Sequence, residues 1–88
     1  MDVDVAWRLS PRVSVRPEPF GALLYHFGTR KLSFLKDRML VSVVEHLDEA
    51  PSAVAACDLA GVPIDQRAKY LRALDTLASS MMIEERAA

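Results

Sequence analysis

Pro19–Leu35, PFGALLYHFGTRKLSFL, is the stretch whose reading decides the fold. Leu23–Phe27 is a run of apolar and aromatic side chains, and Arg30–Leu35 alternates cleanly, so both read as strands. Gly28-Thr29 stands between them. A two-residue loop beginning with Gly suits a type II′ turn, because Gly accepts φ > 0 at the first central position. That loop sets Phe27 opposite Arg30, Tyr25 opposite Leu32 and Leu23 opposite Phe34. Leu23, Tyr25, Leu32 and Phe34 then share one face, expected to pack on helices, while His26, Lys31 and Ser33 point the other way. A three-residue loop would slip the pairing and set Tyr25 and Leu23 against Lys31, Ser33 or Leu35, so the register is well specified.

Upstream of the hairpin, Arg12–Arg16 alternates with period two and reads as a short strand whose valines face a core. Pro17 and Pro19 end it, since neither donates to a ladder, and with Gly21 they form the turn into the hairpin. Residues 1–11 read as an arm: Trp7 and Leu9 can dock, but Pro11 stops any regular element. Downstream, Asp37 is placed to cap a helix over Arg38–Glu49, in which Met39, Leu40, Val43, Val44 and Leu47 recur at helical spacing. Pro51 cuts that helix off and, as a candidate first helical residue, makes Ser52 a poorer cap. Ala53–Ala60 suits a closely packing second helix closed by Gly61, and Val62-Pro63-Ile64 is a connector. Asp65 is expected to cap the third helix, whose apolar stripe is Tyr70, Leu71, Leu74, Leu77, Ala78 and Met81. Met82-Ile83 extends it briefly. Three strands followed by three helices predict an α+β domain, winged helix-turn-helix-like, with an arm 1–11, a core unit 12–83 and a polar tail 84–88.

At 88 residues the chain supports one domain, which buries only about 60–65% of its unfolded surface. A formal charge of −1 argues against a dedicated nucleic-acid binder. Cys57, the single cysteine, cannot form an internal disulfide, which fits a reducing compartment. The acidic start Met1-Asp2-Val3-Asp4 lacks the basic and apolar regions of a signal peptide. No apolar run approaches the ~20 residues of a membrane helix. These features imply a soluble, cytoplasmic protein.

Catalytic chemistry finds no support. His26, His46 and Cys57 are widely spaced, without the pairing of a metal site, and each is more simply a packing or surface residue. The three glycines are isolated at turns and form no phosphate loop. Arg67, Lys69 and Arg72 lie where a winged-helix DNA binder carries its recognition residues. Asp65 and Asp75 interrupt that patch, so a solvated helix face is the commoner reading, and a regulator that binds DNA is the alternative. A sharper possibility is Arg30–Leu35 as an edge strand, whose unpaired backbone groups could pair with an extended peptide beside Tyr70, Leu71 and Leu74. Against it stands an ordinary edge blunted by Lys31.

The run RPEPFGALLYHFGTRKLSFLKDRMLVSVVEHL, preceded by AWRLSPRV and followed by YLRALDTLASSMMI, resembles the mycofactocin-biosynthesis branch of the precursor-peptide recognition elements. That family is typified by the pyrroloquinoline quinone chaperone. The resemblance covers Ala6–Ile83, and FGALLYHFGTRKLSFL is its specific part; Lys36 stands where the wider family often carries Asn. The resemblance implies a winged-helix-like fold that catalyses nothing and needs no cofactor of its own. It further implies that a ribosomally made precursor peptide adds as a strand between the third strand and third helix. The partner it implies is a radical S-adenosylmethionine maturase, acting on the precursor's C-terminal Val-Tyr and holding the iron–sulfur clusters itself. Neither nucleic acid nor membrane is an implied partner. Carried to this sequence, the peptide-binding positions are Lys31, Leu32, Ser33, Phe34 and Leu35 on the strand, with Arg67, Tyr70, Leu71 and Leu74 on the helix.

Overall fold

Hairpin register and hairpin face are separate questions: the fold keeps the register read from the sequence and reverses the face. A computed structural model describes residues 1–87. In chain order the elements are β1 (Trp7–Leu9), β2 (Val13–Glu18), β3 (Gly21–His26), β4 (Leu32–Leu35), α1 (Arg38–His46), α2 (Ala53–Ala60), a 3-10 turn (Ile64–Gln66), α3 (Arg67–Ser79) and β5 (Ile83–Glu85). Strands β2-β3-β4 form an antiparallel sheet, with Tyr25 opposite Leu32 and Leu23 opposite Phe34, as the hairpin reading requires. The face is reversed. Ala22, Leu24, His26 and Leu35 are buried, whereas Leu32 and Phe34 are more than half exposed. Residues 22–27 are apolar on both parities, so alternation alone could not choose between faces.

The loop is also longer than two residues. The N–H of Arg30 donates to the carbonyl of His26, and that of His26 to Lys31, leaving Phe27–Arg30 as a four-residue loop with Arg30 at φ 61°. The His26 side chain organises it: Nδ1 accepts from the N–H groups of Gly28 and Thr29 at 3.0 and 3.1 Å. Gly28 is needed here for space, since a Cβ would sit 2.9 Å from His26 Cε1. At the other end, β2 does not stop at Pro17 but pairs through Glu18 with Gly21. Proline is tolerated because β2 is an edge. The alternation that starts with Phe27 N–H donating to Arg12 puts Pro17–Ala22 in a non-hydrogen-bonded pair, so no ladder bond is lost. Gly21 has φ +149°, and a Cβ there would meet the Leu35 carbonyl oxygen at 2.0 Å.

Arm and tail are not loose ends. Trp7 pairs with Glu85, Arg8 with Glu84 and Leu9 with Ile83 in a second, two-stranded antiparallel sheet. An Arg8–Glu84 ion pair at 2.8 Å crosses it, and Trp7 is buried, with Nε1 donating to the Asp2 carbonyl. Three-residue strands carry too little periodicity to be read from sequence, which is why neither was expected.

Asp37 caps α1 as expected, its Oδ1 accepting from Met39 N–H at 2.8 Å. Ser52, expected to cap poorly, in fact caps α2 by accepting from Ala55 N–H at 3.0 Å, so Pro51 lies outside the helix. Gly61 closes α2 in the left-handed region at φ 83°. Asp65 sits in the 3-10 turn and does not cap α3, which starts after Gln66 without a side-chain cap. Met81 falls beyond α3 and is exposed at φ 65°; Met82 and Ile83 take the core places instead. The core joins Leu24 and Leu35 of the sheet to Val43, Leu47, Cys57 and Leu74 of the helical layer. The outcome is an α+β fold of two sheets and three helices. No helix among the described residues is long and apolar enough to cross a membrane.

Candidate functional site

Backbone phase along β4 determines what its free edge can offer. The bond from His26 N–H to Lys31 makes that pair the hydrogen-bonded one, and bonding alternates from there. Ser33 and Leu35 therefore spend their backbone groups on Leu24 and Ala22 of β3. The N–H and C=O of Leu32 and Phe34 point away from the sheet, towards the open side. Beside this edge lies a groove of about 340 Å³, walled by Ser33, Phe34 and Leu35 on the strand and by Leu40, Ala73, Thr76 and Leu77 on the helices. Ala73, Thr76 and Leu77 stand at i, i+3 and i+4, one stripe of α3.

Asp37 fastens one end of the groove's two walls together. Its Oδ1 caps α1, while Oδ2 accepts from the Tyr70 hydroxyl of α3. The Tyr70 bond, with help from the Met39 and Leu40 N–H groups and Lys69, holds the Asp37 carboxyl below the usual carboxylate range despite partial burial. The same bond, reinforced by burial, pushes the Tyr70 phenol up to about 12. Lys69 Nζ lies 3.9 Å from Asp37 Oδ2 and 5.3 Å from the Tyr70 ring centroid. The α1 cap, two residues past the end of β4, is thus tied to the third helix.

The candidate residues separate into distinct positions. Ser33, Phe34 and Leu35 line the groove, Leu32 presents edge backbone, and Lys31 is exposed at the hairpin end. Tyr70 is buried and committed to Asp37. Leu71 is half-buried against the core, and Leu74 is fully enclosed in it and gives the groove no surface. Arg67 turns to Asp58 of α2 as an ion pair. The groove wall on α3 is formed by Ala73, Thr76 and Leu77 in place of the expected Tyr70, Leu71 and Leu74. Small and polar residues carry no signal in a search for an apolar stripe, so Ala73 and Thr76 escaped it, while Leu40 and Leu77 stand in their helices' stripes and read as core alone.

Chemically the groove offers backbone pairing and apolar contact. Two of the three cations considered for DNA, Arg67 and Lys69, already face carboxylates. The Cys57 thiol is buried, and burial raises its pKa, which makes it a poor nucleophile. His26 is spent on its own loop, and His46 Nδ1 lies 2.7 Å from the Ser42 carbonyl. Among the described residues no three His, Cys, Asp or Glu side chains gather as a metal site would require.

Comparison with known proteins agrees with this chemistry. The profile of the peptide chaperone MftB family matches residues 6–84. Peptide chaperone MftB of Mycolicibacterium smegmatis is 61% identical over 82 residues, covering 93% of this chain and 80% of that protein. The proteins of the same name from Mycobacterium ulcerans and Mycobacterium tuberculosis are 57% and 56% identical, covering 93% and 97% of this chain and 75% and 78% of theirs. Among solved structures, the crystal structure of E. coli MccB with succinimide matches 88% of this chain and 22% of its own, at TM-score 0.54 and 18% identity. That likeness is one of fold. With a profile match across nearly its whole length and relatives this similar, the chain belongs to the peptide chaperone MftB family.

Proposed function

We propose that the chain captures a ribosomally made precursor peptide as a fourth strand on β4 and presents it to a radical S-adenosylmethionine maturase in mycofactocin biosynthesis. The observation that carries this reading is the outward phase of the Leu32 and Phe34 backbone beside an apolar groove. Strand addition draws affinity from main-chain bonds and selectivity from pockets that take alternate side chains. Ser33, Leu35, Ala73, Thr76 and Leu77 form such a pocket. The recognition unit spans residues 12–83 in a winged-helix-like arrangement, with α1 packed on β3 and β4, α2 on α1, and α3 on α2. The iron–sulfur clusters and S-adenosylmethionine belong to the maturase.

Proline scanning along β4 tests the reading, because proline deletes one N–H at a time. Leu32→Pro removes an outward N–H from a side chain that is already half exposed. The variant should stay folded and bind a labelled synthetic precursor peptide at least tenfold more weakly in fluorescence anisotropy. Ser33→Pro removes a bond to Leu24 and should lower the melting temperature instead. A folded Leu32→Pro variant with full peptide affinity would place the site elsewhere.

A further inference from the structure

Leu32 and Phe34 carry two features on opposite sides of one chemical question. Their backbone groups face the free edge, while their side chains stand on the sheet face turned away from the helices, 52% and 56% exposed. Phe20, also exposed, comes up beside Phe34 with ring centroids 6.2 Å apart. These rings and the leucine make an apolar shelf along the outer rim of β4. Single exposed apolar residues need no explanation, but a contiguous row on a strand with an open edge does.

Pleating connects the shelf to an added strand. In either orientation, residues of the incoming peptide opposite Leu32 and Phe34 must project their side chains onto the same outer face, with Cβ atoms about 4.5–5.5 Å away. Those opposite Ser33 and Leu35 project into the groove against Ala73, Thr76 and Leu77. We infer that the outer shelf of Leu32, Phe34 and Phe20 is a second specificity surface for the peptide. The segment recognised is therefore a continuous run of apolar or β-branched residues, and an amphipathic alternating strand is not accepted. This inference rests on the strand-addition reading and adds the substrate's pattern to it. A second copy of this chain is the less suitable occupant. Arg30 and Lys36, both exposed, bracket β4, and the antiparallel edge pairing that bonds Leu32 to Phe34 of a second copy would set Lys36 opposite Arg30, like charge against like.

Leu32→Ser and Phe34→Ser keep every backbone donor and remove only the shelf. Both variants should melt with the wild type, and each should bind the synthetic precursor peptide about tenfold more weakly, a change of about 1.4 kcal/mol. Leu32→Pro is measured in parallel. If the proline variant loses the peptide while both serine variants bind at full strength, strand addition stands and the shelf inference is overturned. If the folded proline variant also binds at full strength, strand addition itself fails and takes the inference with it. Sedimentation of the serine variants closes the remaining path: a homodimer lost on Phe34→Ser with peptide affinity unchanged would assign the shelf to a second copy and overturn the proposal.

Discussion

Tyr70→Phe deletes one oxygen from the clasp between α3 and the cap of α1 and leaves the buried ring in place. A hydrogen bond to a charged group contributes about 1.5–3 kcal/mol. The Asp37 side chain is 35% exposed, so water partly replaces the lost donor and the lower end, about 1.5 kcal/mol, is the appropriate figure. For a domain of 60–100 residues each kcal/mol shifts the melting temperature by about 4–8 °C, so the variant should melt about 6–12 °C below the wild type at pH 7. The pH dependence identifies the bond. Asp37 has a depressed pKa in the fold, so its contribution is complete above the unfolded carboxylate value of about 3.9 and is lost as pH falls through the lower folded value. Tyr70 has a raised pKa, so the same contribution is lost at the other extreme, as pH climbs from about 10 through about 12. Circular dichroism melts of both proteins at pH 7, 5 and 3 should show a constant gap at the first two and a smaller one at the third. A gap that stays constant down to pH 3, or no gap at pH 7, refutes the clasp.

Two further substitutions probe the frame around the groove. Leu74→Ala opens a cavity at a fully enclosed position and should cost roughly 2–5 kcal/mol in urea unfolding, whereas exposed Lys69→Ala should stay within about 0.5 kcal/mol; equal losses would mean that the buried face of α3 is misassigned. Gly21→Ala forces a Cβ onto the Leu35 carbonyl at a φ that side chains rarely adopt and should cost roughly 3 kcal/mol or more, seen as a lowered urea midpoint, with a loss under 0.5 kcal/mol contradicting the close approach of β3 to β4.

The register of the hairpin was legible because the Phe27–Arg30 loop preserves the pairing that a two-residue turn would impose: Tyr25 meets Leu32 either way. The packed face was not. Leu23-Leu24-Tyr25 satisfies an apolar face on either parity, and the deciding information lies on the neighbouring strand. Val13, which packs against the core, stands opposite His26, so the face of β3 that carries His26 and Leu24 is the buried one, although Val15 on the same face of β2 is exposed. That link could be drawn only once the β2–β3 register was known, and Pro17 concealed it by reading as a strand end. Helix existence was plain from period and caps, but the side of α3 facing β4 depends on tertiary placement. The apolar stripe correctly marked Leu74 as important, and importance to the core was mistaken for access to the groove. His26 gave no warning of its role, since a ring accepting two loop N–H groups has no spacing signature.

Trp7 and Glu85 are register partners, so the two arms of the polypeptide meet at one end of the β1–β5 pair, while residues 1–5 fold back on the body, where the Val3 carbonyl accepts from Val54 N–H and the Met1 ammonium bonds Asp75. Topologically the domain is nearly a closed circle, and a short linker between those arms would let the chain be cut open at an exposed turn instead, such as the one after α1. The same geometry makes the seam mechanically soft. Tension that reaches the pair through Ala6 and Arg86, themselves joined by a backbone bond, acts at one end of the β1–β5 pair and peels its bonds one after another, whereas a pull along the strands would load them together. Neither strand contributes to the groove wall, so opening the seam leaves the groove wall in place.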